Sequence, residues 1–284
     1  MYKVITHSHT LSASEIEKLE REFGAAELVN NRYFICESDD NPVPELLDQL
    51  RHDLRVDINV ISQSGLNHDI RLVISDMDST LINIECVDEI ADFASMKAEV
   101  SAITEAAMRG ELDFNQSLEK RVKVLKGLDE SVLKKVYEER LRLNPGAEEL
   151  ISGLAERGIE FALVSGGFTF FTERLKKRLG FRFSRANILA KDGHKLAGAI
   201  EGEIVNGSVK RDYLQSICEE MSIDTQQAIA VGDGANDLLM MEIAGLGVAY
   251  RAKPAVRAQA DCQLNYQDLD ALLDLIDEIN RPAN

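Results

Sequence analysis

Arg71-Leu72-Val73-Ile74-Ser75-Asp76-Met77-Asp78-Ser79-Thr80-Leu81-Ile82 decides how the rest of the chain is read. Its apolar run stops at two aspartates separated by one residue, followed by Ser79-Thr80. A short apolar run bounded by polar residues predicts a buried strand. Asp76 then stands at its carboxyl end, where open α/β sheets hold their ligands. In extended chain Asp76 and Asp78 fall on alternate positions and can face the same way. Two carboxylates held together repel unless a cation or a shared proton lies between them. A hard divalent cation such as Mg2+, bound through oxygen ligands, meets that need. A plain turn draws on the same residue types, since Asp, Ser and Thr all favour turns, so the choice rests on the other segments.

The 284 residues suffice for one large domain or two smaller ones. With 45% hydrophobic and 29% charged residues, the composition is that of a soluble globular protein. The net charge of -17 argues against nucleic acid and anionic membrane as partners, because phosphate backbones need clustered Lys and Arg. A small phosphorylated ligand needs only one or two local cations and a metal, and stays open. No apolar run approaches the roughly 18 residues of a membrane span, and Met1-Tyr2-Lys3-Val4-Ile5-Thr6-His7 has no secretory apolar region. Cys36, Cys86, Cys218 and Cys262 lie far apart and form no zinc motif, which fits reduced thiols in a cytoplasmic protein.

Residues 1–64 read as a small α+β unit. Strands are expected at 2–8, 26–29, 32–37 and 55–62. A helix capped by Ser12 or Ser14 carries Ile16, Leu19 and Phe23 on one face and ends at Gly24. A second starts at Asn41-Pro42, with Leu46, Leu47 and Leu50 apolar. The order βαββαβ is the split-βαβ plan, and Gln63-Ser64-Gly65-Leu66-Asn67-His68 reads as a linker to residues 65–284. This order resembles an ACT-like regulatory module. Its first turn, His9-Thr10-Leu11-Ser12, lacks the glycines that allow close backbone approach to a ligand. Packing or homodimer formation is therefore expected of it rather than amino-acid sensing.

Past Glu85 the pattern turns helical, with Val87, Ile90 and Phe93, then Val100, Ile103 and Ala107, then a helix opened by Asp113 and running to Leu125, and a last one over 128–141. A helical block of about 60 residues between two buried strands is too long for a plain crossover and predicts a cap over the strand ends, about 86–144. Arg121 lies two helical turns past Phe114 on the same face and offers a planar fork to a carboxylate. By frequency alone Arg121 is an exposed ion pair, and Met108 and Phe114 are core.

The remaining segments repeat the opening theme. The strand 159–164 stops at Ser165-Gly166-Gly167 ahead of a helix from Phe168, an arrangement that suits an anion. Asp192-Gly193 and Asn206-Gly207 read as hairpin turns, and Lys210 opens a helix to Met221. A cation there opposes the helix dipole, an oddity that a bound anion explains. Ala228-Ile229-Ala230-Val231 reads as a third buried strand, ending in Gly232-Asp233-Gly234-Ala235-Asn236-Asp237. Clustered acids at a strand end call for a cation.

Taken in order, Asp76-x-Asp78-Ser79-Thr80, Ser165-Gly166-Gly167, Lys210 and Gly232-Asp233-Gly234-Ala235-Asn236-Asp237 resemble the four motifs of the haloacid dehalogenase superfamily, over about residues 71–265. Glu85, the stretch from Phe114-Asn115-Gln116-Ser117-Leu118 to Arg121, Val164-Ser165-Gly166-Gly167-Phe168 and Glu201-Gly202-Glu203 extend the likeness to its branch that dephosphorylates phosphoserine. The resemblance implies an α/β fold, with a Rossmann-like parallel sheet core and a helical cap inserted after the first core strand. It implies Mg2+-dependent hydrolysis of O-phospho-L-serine, the last step of serine biosynthesis. Asp76 would be the nucleophile and Asp78 the general acid and base. Mg2+ would bind Asp76, the Asp78 carbonyl and Asp233. Ser165, the Gly166 N–H and Lys210 would hold the phosphoryl group, Asn236 would contact phosphate or substrate, and Asp237 would orient Lys210 or the metal's water. In the cap, Glu85 would take the substrate ammonium and Arg121 its carboxylate, while Met108 and Phe114 shield the site. Another small phosphomonoester, such as phosphohomoserine or phosphothreonine, is the neighbouring reading, and an amino-acid-responsive binding module is the reading of another class.

Overall fold

The computed structural model describes residues 1–8, 10–62 and 69–281, without the side chain of Met108. The expected linker 63–68 and His9 fall outside the described residues.

The N-terminal unit is β1 (Tyr2–His7), α1 (Ala13–Phe23), β2 (Ala26–Val29), β3 (Tyr33–Ser38), α2 (Pro44–Leu54) and β4 (Asp57–Ser62), forming an antiparallel sheet of order β2-β3-β1-β4. This is the split-βαβ plan expected. Ser12, not Ser14, caps α1, in a reciprocal capping box with Glu15. The second helix starts later than Asn41-Pro42: Val43 stays extended and Pro44 takes the first helical position, where a missing N–H costs nothing.

Alternation along β1 splits the core of this unit. Val4 faces the helices in a cluster with Leu19, Phe23 and Leu50. Ile5 faces the other way, in one continuous cluster with the larger sheet. Buried Lys3, Tyr33, Asp57 and Asn59 make polar contacts across this seam. Lys3 Nζ meets Glu278 Oε2 at 3.0 Å, and Tyr33 donates its hydroxyl to Glu278 Oε1 at 2.6 Å. The Asp57 carboxylate accepts from the N–H groups of Asn265, Tyr266 and Gln267 at 2.8–2.9 Å. Asn59 accepts from the Gln263 N–H at 2.8 Å and donates to its carbonyl at 3.1 Å. Those Gln263 groups belong to the outermost strand of the larger sheet, whose unpaired backbone would otherwise template another chain.

That larger sheet is built from β5 (Leu72–Ser75) onward. The cap follows as α3 (Cys86–Phe93), α4 (Lys97–Met108), α5 (Phe114–Val124) and α6 (Ser131–Lys135), with a widened turn over Val136–Arg140. Then come α7 (Ala147–Glu156), β6 (Glu160–Phe168), α8 (Thr169–Leu179), β7 (Phe183–Asp192), β8 (Lys195–Glu201), α9 (Gly207–Met221), β9 (Ala228–Gly232), α10 (Leu238–Ile243), β10 (Leu246–Tyr250), α11 (Pro254–Arg257), β11 (Cys262–Leu264) and α12 (Leu272–Ile279). The seven strands lie in the order β11-β10-β9-β5-β6-β7-β8, and every neighbouring pair is parallel except β7 with β8. β5 sits between β9 and β6, so the chain leaves it toward both sides. Ligands bind at such a switch point, beyond the strands' carboxyl ends.

Three readings are corrected in detail. Asn206-Gly207 is not a hairpin turn. Asn206 caps α9, its side chain accepting from the Val209 N–H at 3.2 Å, so α9 begins at Gly207 rather than Lys210. Asn favours helix caps as strongly as turns, and the sequence alone does not separate the two. β6 runs on through Ser165-Gly166-Gly167 to Phe168, with a register shift against β7 between Ser165 and Phe168. The glycines are therefore a bulge at a strand end. Beyond Asp76 the chain is not a continued strand: Met77–Leu81 coils, with Ser79 at φ 57.

Candidate active site

The register places the three motif strands side by side. Ser75 of β5 pairs with Leu163 of β6 and Val231 of β9, so Asp76, Ser165 and Asp233 all emerge at one edge. They line a cavity of about 890 Å³ with Asp78, Glu85, Phe114, Arg121, Gly166 and Asn236. Cap and core residues thus share one enclosure. Among the sequence-predicted residues, Met108 has no described side chain.

The floor is an ion array. Lys210 is fully buried, with its Nζ 2.8 Å from Asp76 Oδ1 and 2.7 Å from Asp237 Oδ1. The Gly234 N–H donates to the second Asp237 oxygen at 3.0 Å. Burial works to lower the pKa of Lys210, but Asp237 and Asp76 outweigh it and hold it above the ordinary lysine value. The lysine at the helix start is therefore paired twice, which removes the objection from the helix dipole. Asp76 is raised well above the usual carboxylate range by burial and by Asp237, against the pull of Lys210.

Carboxylate oxygens of Asp76, Asp233 and Asp237 all lie within 4.8 Å of one another. Burial and Asp237 push Asp233 up to about 6. Three acids against one lysine leave excess negative charge, and an all-oxygen donor set suits a hard divalent cation. Asp237 already spends both oxygens on Lys210 and Gly234, which leaves Asp76 and Asp233 as the more available ligands. The residues present therefore fit a divalent cation.

Asp78 is set apart from that array. Its Oδ2 accepts from the Cys86 N–H at 3.3 Å, and its Oδ1 is buried without a hydrogen-bond partner among the described residues. Burial first, and Glu85 second, push its pKa up to about 8. A carboxyl group kept protonated near neutral pH can give a proton to a leaving oxygen.

Two motif hydroxyls without a role assigned from the sequence organise the acids. Ser79 donates to Glu85 Oε1 at 2.7 Å, and Thr80 donates to Asp233 Oδ1 at 3.2 Å. Their position beside Asp78 was the available signal, but turn chemistry explained it equally well. Asn144, at the end of the cap, donates from its amide to the carbonyls of Thr80 and Ile82 at 2.7 and 3.2 Å. It thereby closes the stem of the cap onto the coil that carries Asp78. Asn206 donates to Asn115 Oδ1 at 3.2 Å, a direct bond between core and cap.

The cap supplies the remaining recognition groups. Arg121 on α5 has a buried Nε with no hydrogen-bond partner among the described residues, and it makes none of the surface ion pairs found among them. Phe114 packs on the strand-end loop so tightly that a Cβ at Gly166 would come within 2.8 Å of its Cζ. At Gly167 a Cβ would meet Met77 Cε at 2.8 Å, Ser165 Oγ at 3.0 Å and Asp78 Oδ2 at 3.2 Å. A Cβ at either glycine would force the side-chain end it meets to shift.

Comparisons with known proteins agree with this geometry. A family model for haloacid dehalogenase-like hydrolases matches residues 70–245. The phosphoserine phosphatase of Polaromonas sp. strain JS666 is 51% identical over 224 residues, covering 77% of this chain and 95% of that protein. The crystal structure of a probable phosphoserine phosphatase from Vibrio cholerae superposes with a TM-score of 0.82 at 35% identity, over 98% of this chain and 86% of the other. A HAD family hydrolase of Salmonella enterica serovar Typhi gives a TM-score of 0.88 at 32% identity, over 98% and 99% of the two chains.

Proposed function

This chain belongs to the haloacid dehalogenase-like hydrolases, and from that premise we propose that it hydrolyses O-phospho-L-serine to L-serine and phosphate with Mg2+ as its metal. The reading is carried by one juxtaposition. Asp76, paired with the buried Lys210 that Asp237 also holds, and a cap arginine whose buried Nε has no hydrogen-bond partner among the described residues open onto the same cavity as Glu85. Such a cavity offers groups for a phosphate, a carboxylate and an ammonium at once.

In the proposed reaction an Asp76 oxygen bonds to phosphorus while the bond from phosphorus to the serine oxygen breaks. Asp78 gives its proton to that oxygen. It then takes a proton from the water that releases phosphate from the aspartyl-phosphate. Ser165, the Gly166 N–H and Lys210 hold the phosphoryl oxygens, Asn236 contacts the bound group, and Asp237 fixes Lys210. Glu85, held by Ser79, takes the ammonium, and Arg121 takes the carboxylate. Phe114 covers the site against water. Mg2+ bound by Asp76, Asp233 and the Asp78 carbonyl would offset the repulsion between nucleophile and phosphate.

We assign this chemistry to residues 65–284, with residues 86–144 as the cap, in a cytoplasmic protein. Residues 1–64 are assigned as an ACT-like unit that packs on the catalytic part and can serve a homodimer. Phosphohomoserine is the second reading, because a cavity of about 890 Å³ has room for a longer side chain.

Acid quenching during turnover tests the nucleophile. Peptide mass mapping should find a phosphoryl group on Asp76, and Asp76→Asn should fold normally and release no phosphate. Normal turnover by Asp76→Asn would sink the mechanism.

A further inference from the structure

The bulge in β6 releases backbone groups that a regular ladder would have used. Ser165 pairs with Ala186, and Phe168 pairs with the next residue of β7, Asn187. Gly166 and Gly167 therefore stand between two consecutive partners, outside the ladder. The Gly166 carbonyl released in this way needs a donor, and Asn187 supplies it. Its side chain is 1% exposed. Its Nδ2 donates to the Gly166 carbonyl at 2.8 Å, and its Oδ1 accepts from the Val205 N–H at 2.8 Å.

The Gly166 carbonyl and the Gly167 N–H belong to one rigid peptide unit. The Gly167 N–H donates to Ser165 Oγ at 2.7 Å. That peptide is thus held at both ends, by Asn187 on its oxygen and by Ser165 on its nitrogen. A serine oxygen that accepts from Gly167 still has its own proton to give. On its far side Asn187 grips Val205, which immediately precedes Asn206, the cap of the helix carrying Lys210. A single amide thereby links the two segments on which the phosphate-binding groups are mounted. The Asn187 amide donates to one backbone group and accepts from the other at once. A carboxylate would face the Gly166 oxygen with like charge, and an apolar side chain would orphan both backbone groups.

We propose that Asn187 is a positioning residue of the reaction: by fixing the Gly166–Gly167 peptide against Val205, it holds the Ser165 hydroxyl with its proton free for a phosphoryl oxygen. This rests on the reading of Ser165 as a phosphate ligand. It does not depend on which phosphomonoester is the substrate.

A double-mutant cycle separates this role from mere support of the fold. Asn187→Ala, Ser165→Ala and the combined variant are compared by phosphate release from p-nitrophenyl phosphate, so an error about the cap's substrate leaves the test intact. Ser165→Ala alone should lose about 10²-fold in kcat, as for removal of one preorganised donor. Asn187→Ala should lose about tenfold or more, and the combined variant should be no slower than Ser165→Ala, because residues acting through one another are not additive. A loss in the combined variant equal to the product of the single losses overturns the proposal, as does an Asn187→Ala rate within about twofold of the parent. An unimpaired Ser165→Ala removes the premise as well, and that single variant tells the two failures apart. If Asn187→Ala does not fold, Asn187→Ser, whose shorter hydroxyl reaches at most one of the two backbone groups, takes its place in the cycle with the same expected losses. An Asn187→Ser chain that is fully active, or that also fails to fold, overturns the proposal.

Discussion

Arg121 offers the sharpest separation of binding from folding. Its Nε is buried without a hydrogen-bond partner, so Arg121→Ala gives up no hydrogen bond at that nitrogen. The fold loses chiefly the packing of its aliphatic stem, about 1 kcal/mol. The substrate loses far more. Truncating one partner of a desolvated, hydrogen-bonded charge pair costs about 2–5 kcal/mol, which is roughly thirtyfold to several-thousandfold in kcat/KM for phosphoserine. p-Nitrophenyl phosphate, which has no carboxylate, should be cleaved nearly as before.

A second signature comes from Asp88. Burial raises its pKa and Arg121 opposes the rise, so removing Arg121 raises it further. A carboxyl raised in the folded state favours folding while protonated and loses that contribution as pH climbs. The stability deficit of Arg121→Ala should therefore grow from the ordinary carboxylate range upward. Steady-state kinetics on both substrates, with urea melts at two pH values, make the assay. An equal loss on both substrates would refute the reasoning, as would an unchanged kcat/KM for phosphoserine in a folded variant.

Three further outcomes follow from the contacts. Lys210→Met leaves Asp76 and Asp237 facing each other without their shared cation, and should cost about 3–5 kcal/mol of stability and about 10²–10³ in kcat; urea melts and phosphate release check both. Asp57→Asn replaces a buried carboxylate that accepts three N–H groups by an amide that can satisfy only part of them, and should lower the urea-derived stability by about 3 kcal/mol with kcat unchanged. Gly166→Ala drives a Cβ into Phe114 and should raise KM about tenfold or more by displacing the cap, and Phe114→Leu in the same chain should restore part of the loss.

What the sequence disclosed and what it withheld divide along physical lines. The three motif strands were legible because each is an apolar run that ends in chemistry-bearing residues, and the parallel register then brought Asp76, Ser165 and Asp233 together. The N-terminal order was legible from alternation and caps. Lys210 was legible only as a cation set against the helix dipole; its contacts with Asp76 and Asp237, distant in the chain, explain it. Asn206 was misread because caps and turns share residue types. Asn187 was invisible, since an Asn within a strand says nothing of a bulge on the neighbouring one. The docking of the N-terminal unit was hidden for the same reason. Lys3 with Glu278, Asp57 with 265–267 and Asn59 with Gln263 each join residues more than two hundred apart. That docking also gives the unit a physical purpose: it covers the backbone of β11 at the open edge of the catalytic sheet.

The most direct measurement is phosphate release from L-phosphoserine, phosphothreonine, phosphohomoserine and p-nitrophenyl phosphate, each with Mg2+ and with EDTA. The account predicts a strong preference for phosphoserine that disappears in EDTA and returns when Mg2+ is restored. Equal rates on all four, or full activity in EDTA, would contradict it.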